Sequence, residues 1–155
     1  MDDHIKSLYE TDALIWTDTQ IALLRAGKFD QLDLENIISE LGYQVRKDKH
    51  EVASRLRGLM AHLLKYQFQP RLRSKSWCRT IHQHRAQIED VLNEMPSLRP
   101  QLIAYVARGY PKAIRSAALD TGLPLSAFPE TNPYSVEQIL DENFLPGENE
   151  KAADP

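Results

Sequence analysis

Two stretches of this sequence have an arginine, four intervening residues and a histidine: Arg57 to His62, and Arg79 to His84. A histidine can act as general base on a ribose 2′-hydroxyl while an arginine stabilises the developing phosphate charge. The pattern is therefore typical of a ribonuclease or toxin-like all-helical enzyme. The arginine and the histidine are five residues apart, however, and this separation places their side chains about 140° apart around a regular helix. Short motifs of this kind also occur by chance, so we keep the enzyme as the alternative interpretation and assign no catalytic residue.

Both pairs lie within a basic block over residues 54–85, which holds eight arginines and lysines and no aspartate or glutamate. Residues 1–53 hold 6 bases and 11 acids, and residues 86–155 hold 5 bases and 11 acids. The formal net charge is −3, so any attraction for an anion must be local. The block either lies against the acidic flanks of its own chain or forms an anion-binding surface, and the sequence leaves both open.

One group of candidate binding residues lies on the helix predicted over residues 33–67. Arg55, His62 and Tyr66 are spaced i, i+7 and i+11, which places them on one flank of that helix. An arginine beside an aromatic ring suits phosphate or carboxylate recognition. The stems of arginine and tyrosine can equally cover the rim of a core.

A second group lies in the connector "QPRLRSKSW" and the helix start that follows it. Arg71, Arg73, Lys75 and Arg79 bring positive charge next to Trp77. Cations near a helix N-terminus are unfavourable for the helix dipole, so they indicate nearby acids or a bound anion. We therefore predict a non-enzymatic interaction module that docks an acidic protein or a nucleic-acid backbone through a surface around residues 71–79.

No metal site and no cofactor are predicted. His82 and His84 are about 200° apart on a regular helix, and Cys78 is the single cysteine of the chain. His84 shares a face with apolar residues, so we expect it on the core side, hydrogen-bonded to a neighbour. The single cysteine fits a reducing compartment, no signal peptide is evident, and no apolar run is long enough to span a bilayer. We expect a cytoplasmic protein without a membrane partner.

The apolar spacing predicts an all-α fold, a single-domain bundle of five to six helices with a proline-rich C-terminal strap. Residues 1–146 form the predicted domain and residues 147–155 a disordered tail. A straight helix over residues 33–67 is long for a compact domain, so we expect a bend or break between Gly42 and Asp48. The other helices are predicted over 11–26, from Ser74 or Ser76 to Pro96, from Ser97 to about Asp120 with a kink or split at Pro111, and over 136–141 with a Ser135–Gln138 capping box.

Several strings in this order resemble the bacterial domain-of-unknown-function-29 family. They are "YETDALIWTDTQIALLRAGKFDQLDLENI", "SRLRGLMAHLLKYQFQP", "RSKSWCRTIHQHRAQI", "PSLRP" and "FPETNPYSVEQILDENFLP". The resemblance runs from about Tyr9 to Pro146. It implies a small, all-helical bacterial protein, and it implies no activity.

Overall fold

The computed structural model describes residues 3–147, which form six α-helices and no β-strand. Short 3-10 turns, three of which include or follow a proline, join several of these helices. The all-α prediction is thereby confirmed. The helices are α1 (Asp3–Thr11), α2 (Ala13–Arg25), α3 (Leu34–Phe68), α4 (Lys75–Glu94), α5 (Leu102–Thr121) and α6 (Val136–Leu140).

Helix α3 is continuous over 35 residues, so a break between Gly42 and Asp48 is wrong, while a bend there stays a prediction. The helix contains no proline, and a single glycine costs only about 1 kcal/mol relative to alanine. The lysines, arginine and glutamate that follow Gly42 are good helix formers, so the polar stretch propagates the helix. The same stretch nevertheless marks a boundary, because the chain divides into two compact units between Lys47 and Asp48.

The N-terminal unit is organised around a buried polar contact at the start of α3. The indole Nε1 of Trp16 donates a hydrogen bond to Oδ2 of Asp33 at 3.0 Å, and the backbone N–H of Asp33 donates to Oε1 of Gln20 at 2.9 Å. Burial raises the pKa of the Asp33 carboxyl, but hydrogen bonds from Asn36 and Trp16 outweigh it and the pKa is lowered. Asp33 therefore anchors Trp16, in addition to its position before the first turn of α3. The sequence predicted only the role of a helix cap for it.

The C-terminal unit has an apolar core to which α3, α4, α5 and α6 all contribute. Two of its helix starts are capped as predicted: Ser74 accepts from the backbone N–H of Trp77 at 3.2 Å, and Ser135 forms a capping box with Gln138. The side chains that are at most 2% exposed in this core are Val52, Leu56, Leu59, Met60, Leu63, Leu64, Ile81, Ile88, Leu92, Ala113, Ala117 and Ile139.

The start of α5 differs from prediction. A 3-10 turn over Pro96–Gln101 precedes α5, so Ser97 does not cap it. Helix α5 continues through Pro111, so the predicted split is wrong, while the alternative of a kink there stays a prediction. Gly122, at φ +72°, ends α5 as expected. The predicted tail lies outside the described residues from position 148 onward.

The C-terminal strap is held by Arg85 of α4, which is buried. Its guanidinium donates to the backbone carbonyls of Ile139 at 2.8 Å, Phe144 at 2.9 Å and Gln138 at 3.3 Å. One cation of the basic block is thus used inside the fold, where it forms no ion pair with a carboxylate of residues 3–147.

None of the helices within residues 3–147 combines the length and apolar character needed to cross a bilayer.

Candidate anion-binding site

A cavity of about 490 Å³ lies between α3 and α5, in the C-terminal unit. We call it the basic groove because cationic side chains enter it from both helices. It is lined from α3 by Lys49, His50, Ala53 and Arg57, and from α5 and the turn before it by Gln101, Tyr105, Arg108, Gly109 and Lys112.

Helical spacing explains how these residues come to line one groove. On α3, Lys49, Ala53 and Arg57 are four residues apart and therefore lie along one side of the helix. On α5, Arg108 and Lys112 are related in the same way. Ala53 of α3 and Gly109 of α5 are small residues that line the groove. They let the two helix backbones approach each other while the long cationic side chains reach toward solvent.

The groove is electrostatically one-sided. Four of its lining residues, Lys49, Arg57, Arg108 and Lys112, are cations, and none is an aspartate or glutamate. Within residues 3–147, none of these four cations forms an ion pair. Like charges held close together without a counter-charge repel one another, so an anion in this groove would relieve that repulsion.

The neutral polar groups of the groove suit the same ligand. Tyr105 is buried, and its hydroxyl donates to Oε1 of Gln101 at 2.7 Å. The guanidinium carbon of Arg108 lies 5.4 Å from the centre of the Tyr105 ring. This cation–π contact holds Arg108 beside the cavity with its donors available. The guanidinium groups of Arg57 on α3 and Arg108 on α5 can each bind a phosphate or carboxylate through paired hydrogen bonds.

The predicted connector divides into exposed and internally bonded cations. Arg71, Lys75 and Arg79 are exposed, and none forms an ion pair within the described part of the chain. Arg73 is half-buried: its Nε donates to the carbonyl of Tyr66 at 2.7 Å, and its guanidinium lies 4.4 Å from the Tyr66 ring centre. The connector therefore offers three free cations and uses the fourth in packing.

The predicted flank of Arg55, His62 and Tyr66 is engaged in internal contacts. Arg55 forms an ion pair with Glu51 at 3.1 Å and a hydrogen bond with Gln87. His62 Nδ1 donates to the carbonyl of Gly58 at 3.0 Å, and Tyr66 is buried. For Tyr66 the observed contacts match the interpretation in which arginine and tyrosine stems cover the core.

The structure brings together one histidine from each Arg-x4-His stretch. The ring centres of His62 and His84 lie 6.1 Å apart. Nδ1 of His84 is buried without a hydrogen-bond partner, so the expected bond to a neighbour is absent at that atom. Burial lowers the pKa of both histidines, and the pKa of His84 is lowered further by His62 and Arg55. Both imidazoles are therefore neutral at pH 7.

Sequence reasoning missed the groove because its cations are distant in the chain. Arg57 belongs to the basic block, but Lys49, Arg108 and Lys112 lie outside it. The available signal was the spacing of bases along each helix: Lys49 and Arg57 are eight residues apart in "KHEVASRLR", and Arg108 and Lys112 are four apart in "RGYPK". Both spacings place the bases on one side of a helix. Which helix sides face each other is not contained in either string.

No group of three or more histidine, cysteine or acidic side chains within residues 3–147 is arranged to hold a metal ion.

Comparison with known proteins places the chain in a family. The model of a domain of unknown function, DUF29, matches residues 8–145. The chain belongs to the DUF29 family. The match includes every residue of the basic groove, and it confirms the resemblance seen in the sequence. No curated protein and no solved structure matches the DUF29 chain.

Proposed function

We propose that this DUF29 protein is a non-enzymatic binding module whose basic groove takes the phosphate backbone of a nucleic acid. The observation that carries the proposal is a cavity of about 490 Å³ that four cations line without a carboxylate. Phosphate contacts from lysine and arginine supply most of the sequence-independent affinity of nucleic-acid-binding proteins. Arg57 and Arg108, on facing helices, provide the paired donors that suit phosphate oxygens.

The exposed connector supports an extended binding surface. Arg71, Lys75 and Arg79 carry three further cations without ion-pair partners in residues 3–147, close in sequence to the half-buried Trp77. A nucleic-acid strand longer than the groove would need such additional phosphate contacts. We therefore assign the groove as the principal site and the connector as a secondary contact, in a bacterial cytoplasmic protein.

The groove itself favours binding over catalysis. His50 is its one side chain of a type that commonly transfers protons near neutral pH. The remaining polar groups are lysine and arginine side chains, one amide and a buried tyrosine, which hold and orient an anion.

Fluorescence anisotropy with a labelled single-stranded RNA of about 20 nucleotides tests the proposal. Two variants that remove the same charge are compared: Arg57→Gln/Arg108→Gln in the groove and Arg71→Gln/Lys75→Gln in the connector. We expect the groove variant to bind about tenfold or more weakly and the connector variant about two- to threefold more weakly. Equal losses would reject the groove as the site. Equally tight binding of a poly-glutamate peptide would identify an acidic protein as the partner and reject the nucleic acid.

The ribonuclease interpretation is retained as the alternative because His62 and His84 lie side by side and are neutral at pH 7. A neutral imidazole can accept the proton of a 2′-hydroxyl. Incubation of mixed RNA with the wild-type protein, His62→Ala and His84→Ala decides the matter. Cleavage that either substitution abolishes supports the enzyme, and cleavage that is absent or unaffected by both rejects it.

A further inference from the structure

The first part of α3 exposes an apolar stripe. Leu34, Ile38, Leu41 and Val45 are spaced by four, three and four residues, and therefore lie on one side of the helix. We call these four residues the apolar stripe. They are 55%, 67%, 65% and 52% exposed.

The stripe supplies about half of the apolar surface that one side of a standard dimer buries. Counting roughly 100 Å² for each fully exposed apolar side chain, its four residues expose on the order of 240 Å². A standard interface buries about 800 Å² per partner, of which about 60% is apolar.

Charges beside the stripe are complementary to a second, antiparallel copy. Glu35 and Arg46 are eleven residues apart and therefore lie on the same flank of α3, toward opposite ends of the stripe. Both are exposed, and neither forms an ion pair within residues 3–147. In an antiparallel two-fold pairing, this flank of one copy would lie beside the same flank of the other, with Glu35 of each copy near Arg46 of the other. A parallel two-fold pairing would place the two flanks on opposite sides of the contact, so Glu35 of one copy would not meet Arg46 of the other.

From these observations we infer that two copies of the chain form a two-fold dimer by packing their apolar stripes antiparallel. Leu34 faces Val45 of the second copy, Ile38 faces Leu41, and two Glu35–Arg46 ion pairs flank the contact. The dimer is independent of the anion-binding proposal, because no residue of the basic groove belongs to it.

Light scattering of the full chain through a dilution series, coupled to size-exclusion chromatography, tests the dimer. We expect twice the chain mass of 17.8 kDa for the wild-type protein and for Leu119→Glu, which changes an exposed leucine of α5. The Leu41→Glu variant should be monomeric, with circular dichroism unchanged because Leu41 is exposed. A wild-type monomer throughout the series, a dimer that survives Leu41→Glu, or equal loss in both variants would overturn the inference.

A charge exchange tests the orientation. Glu35→Arg and Arg46→Glu should each weaken the dimer about three- to tenfold, because each creates two like-charge contacts. The double variant Glu35→Arg/Arg46→Glu should restore wild-type affinity. Failure of the double variant to restore it would overturn the antiparallel arrangement.

Discussion

A Cβ atom on Gly109 of α5 would lie 3.2 Å from Cε of Met60 of α3 and 3.7 Å from Cβ of Arg57. The missing side chain at Gly109 therefore lets α5 approach α3 where both helices line the basic groove. Because Arg57 precedes Met60 by less than one helical turn, the close contact and the cationic groove depend on the same helix spacing.

We predict that Gly109→Val destabilises the fold by about 1–3 kcal/mol, because added methyl groups have to displace Met60 or Arg57. The same displacement should weaken anion binding. Urea unfolding followed by circular dichroism measures the stability. Ala107→Val is the matched control, because Ala107 is an exposed residue of the same helix. Equal stability of the two variants would show that the helices do not need the gap.

We predict that the protein loses stability on acidification from pH 7 to pH 5, in part through His62 and His84. Their pKa values are lowered in the folded state, so below about pH 6.5 the unfolded chain takes up protons that the folded chain does not. The contribution of the two histidines is fully present above pH 6.5 and is lost as the pH falls. Urea midpoints across this range should depend less on pH in His62→Gln/His84→Gln. An unchanged pH dependence in the double variant would contradict the burial of these rings.

We predict that Arg85→Lys destabilises the C-terminal unit by about 1–3 kcal/mol, because an ammonium group cannot reproduce the three carbonyl contacts of the guanidinium. Amide hydrogen exchange should become faster in α6 and around Phe144. Arg79→Lys, at an exposed position of the same helix, serves as the control. Wild-type protection of α6 in Arg85→Lys would show that the strap is held by its apolar contacts alone.

The helices could be predicted because their signals are local. The side chains of Ser74 and Ser135 cap the starts of two helices, and the backbone freedom of Gly122 lets it end α5. The predicted break in α3 was wrong because it was inferred from the length of a helix that fits a compact domain. The helix propensity of the residues after Gly42 instead continues the helix. Helix α1 was not predicted: its nine residues include no buried side chain.

The groove could not be predicted, because it depends on which sides of two distant helices meet. Arg57 was recognised in the basic block and in an Arg-x4-His stretch, but its groove partners Arg108 and Lys112 lie about fifty positions later in the chain. Conversely, Arg73 was a predicted binding residue and Arg85 was counted only within the basic block, whereas the fold uses both to bind backbone carbonyls. Net charge along the chain therefore does not distinguish a cation that binds a ligand from one that holds a loop.

The salt dependence of RNA binding tests the central claim most directly, because its slope counts the phosphates that the protein neutralises. Each phosphate contact on a single strand contributes about −0.7 to the slope of log K against log salt concentration. Four groove cations predict a slope of about −3 or steeper for the wild-type protein, and the loss of Arg57 and Arg108 should reduce its magnitude by about 1.4. A wild-type slope near zero, or a slope that Arg57→Gln/Arg108→Gln leaves unchanged, would contradict phosphate binding in the basic groove.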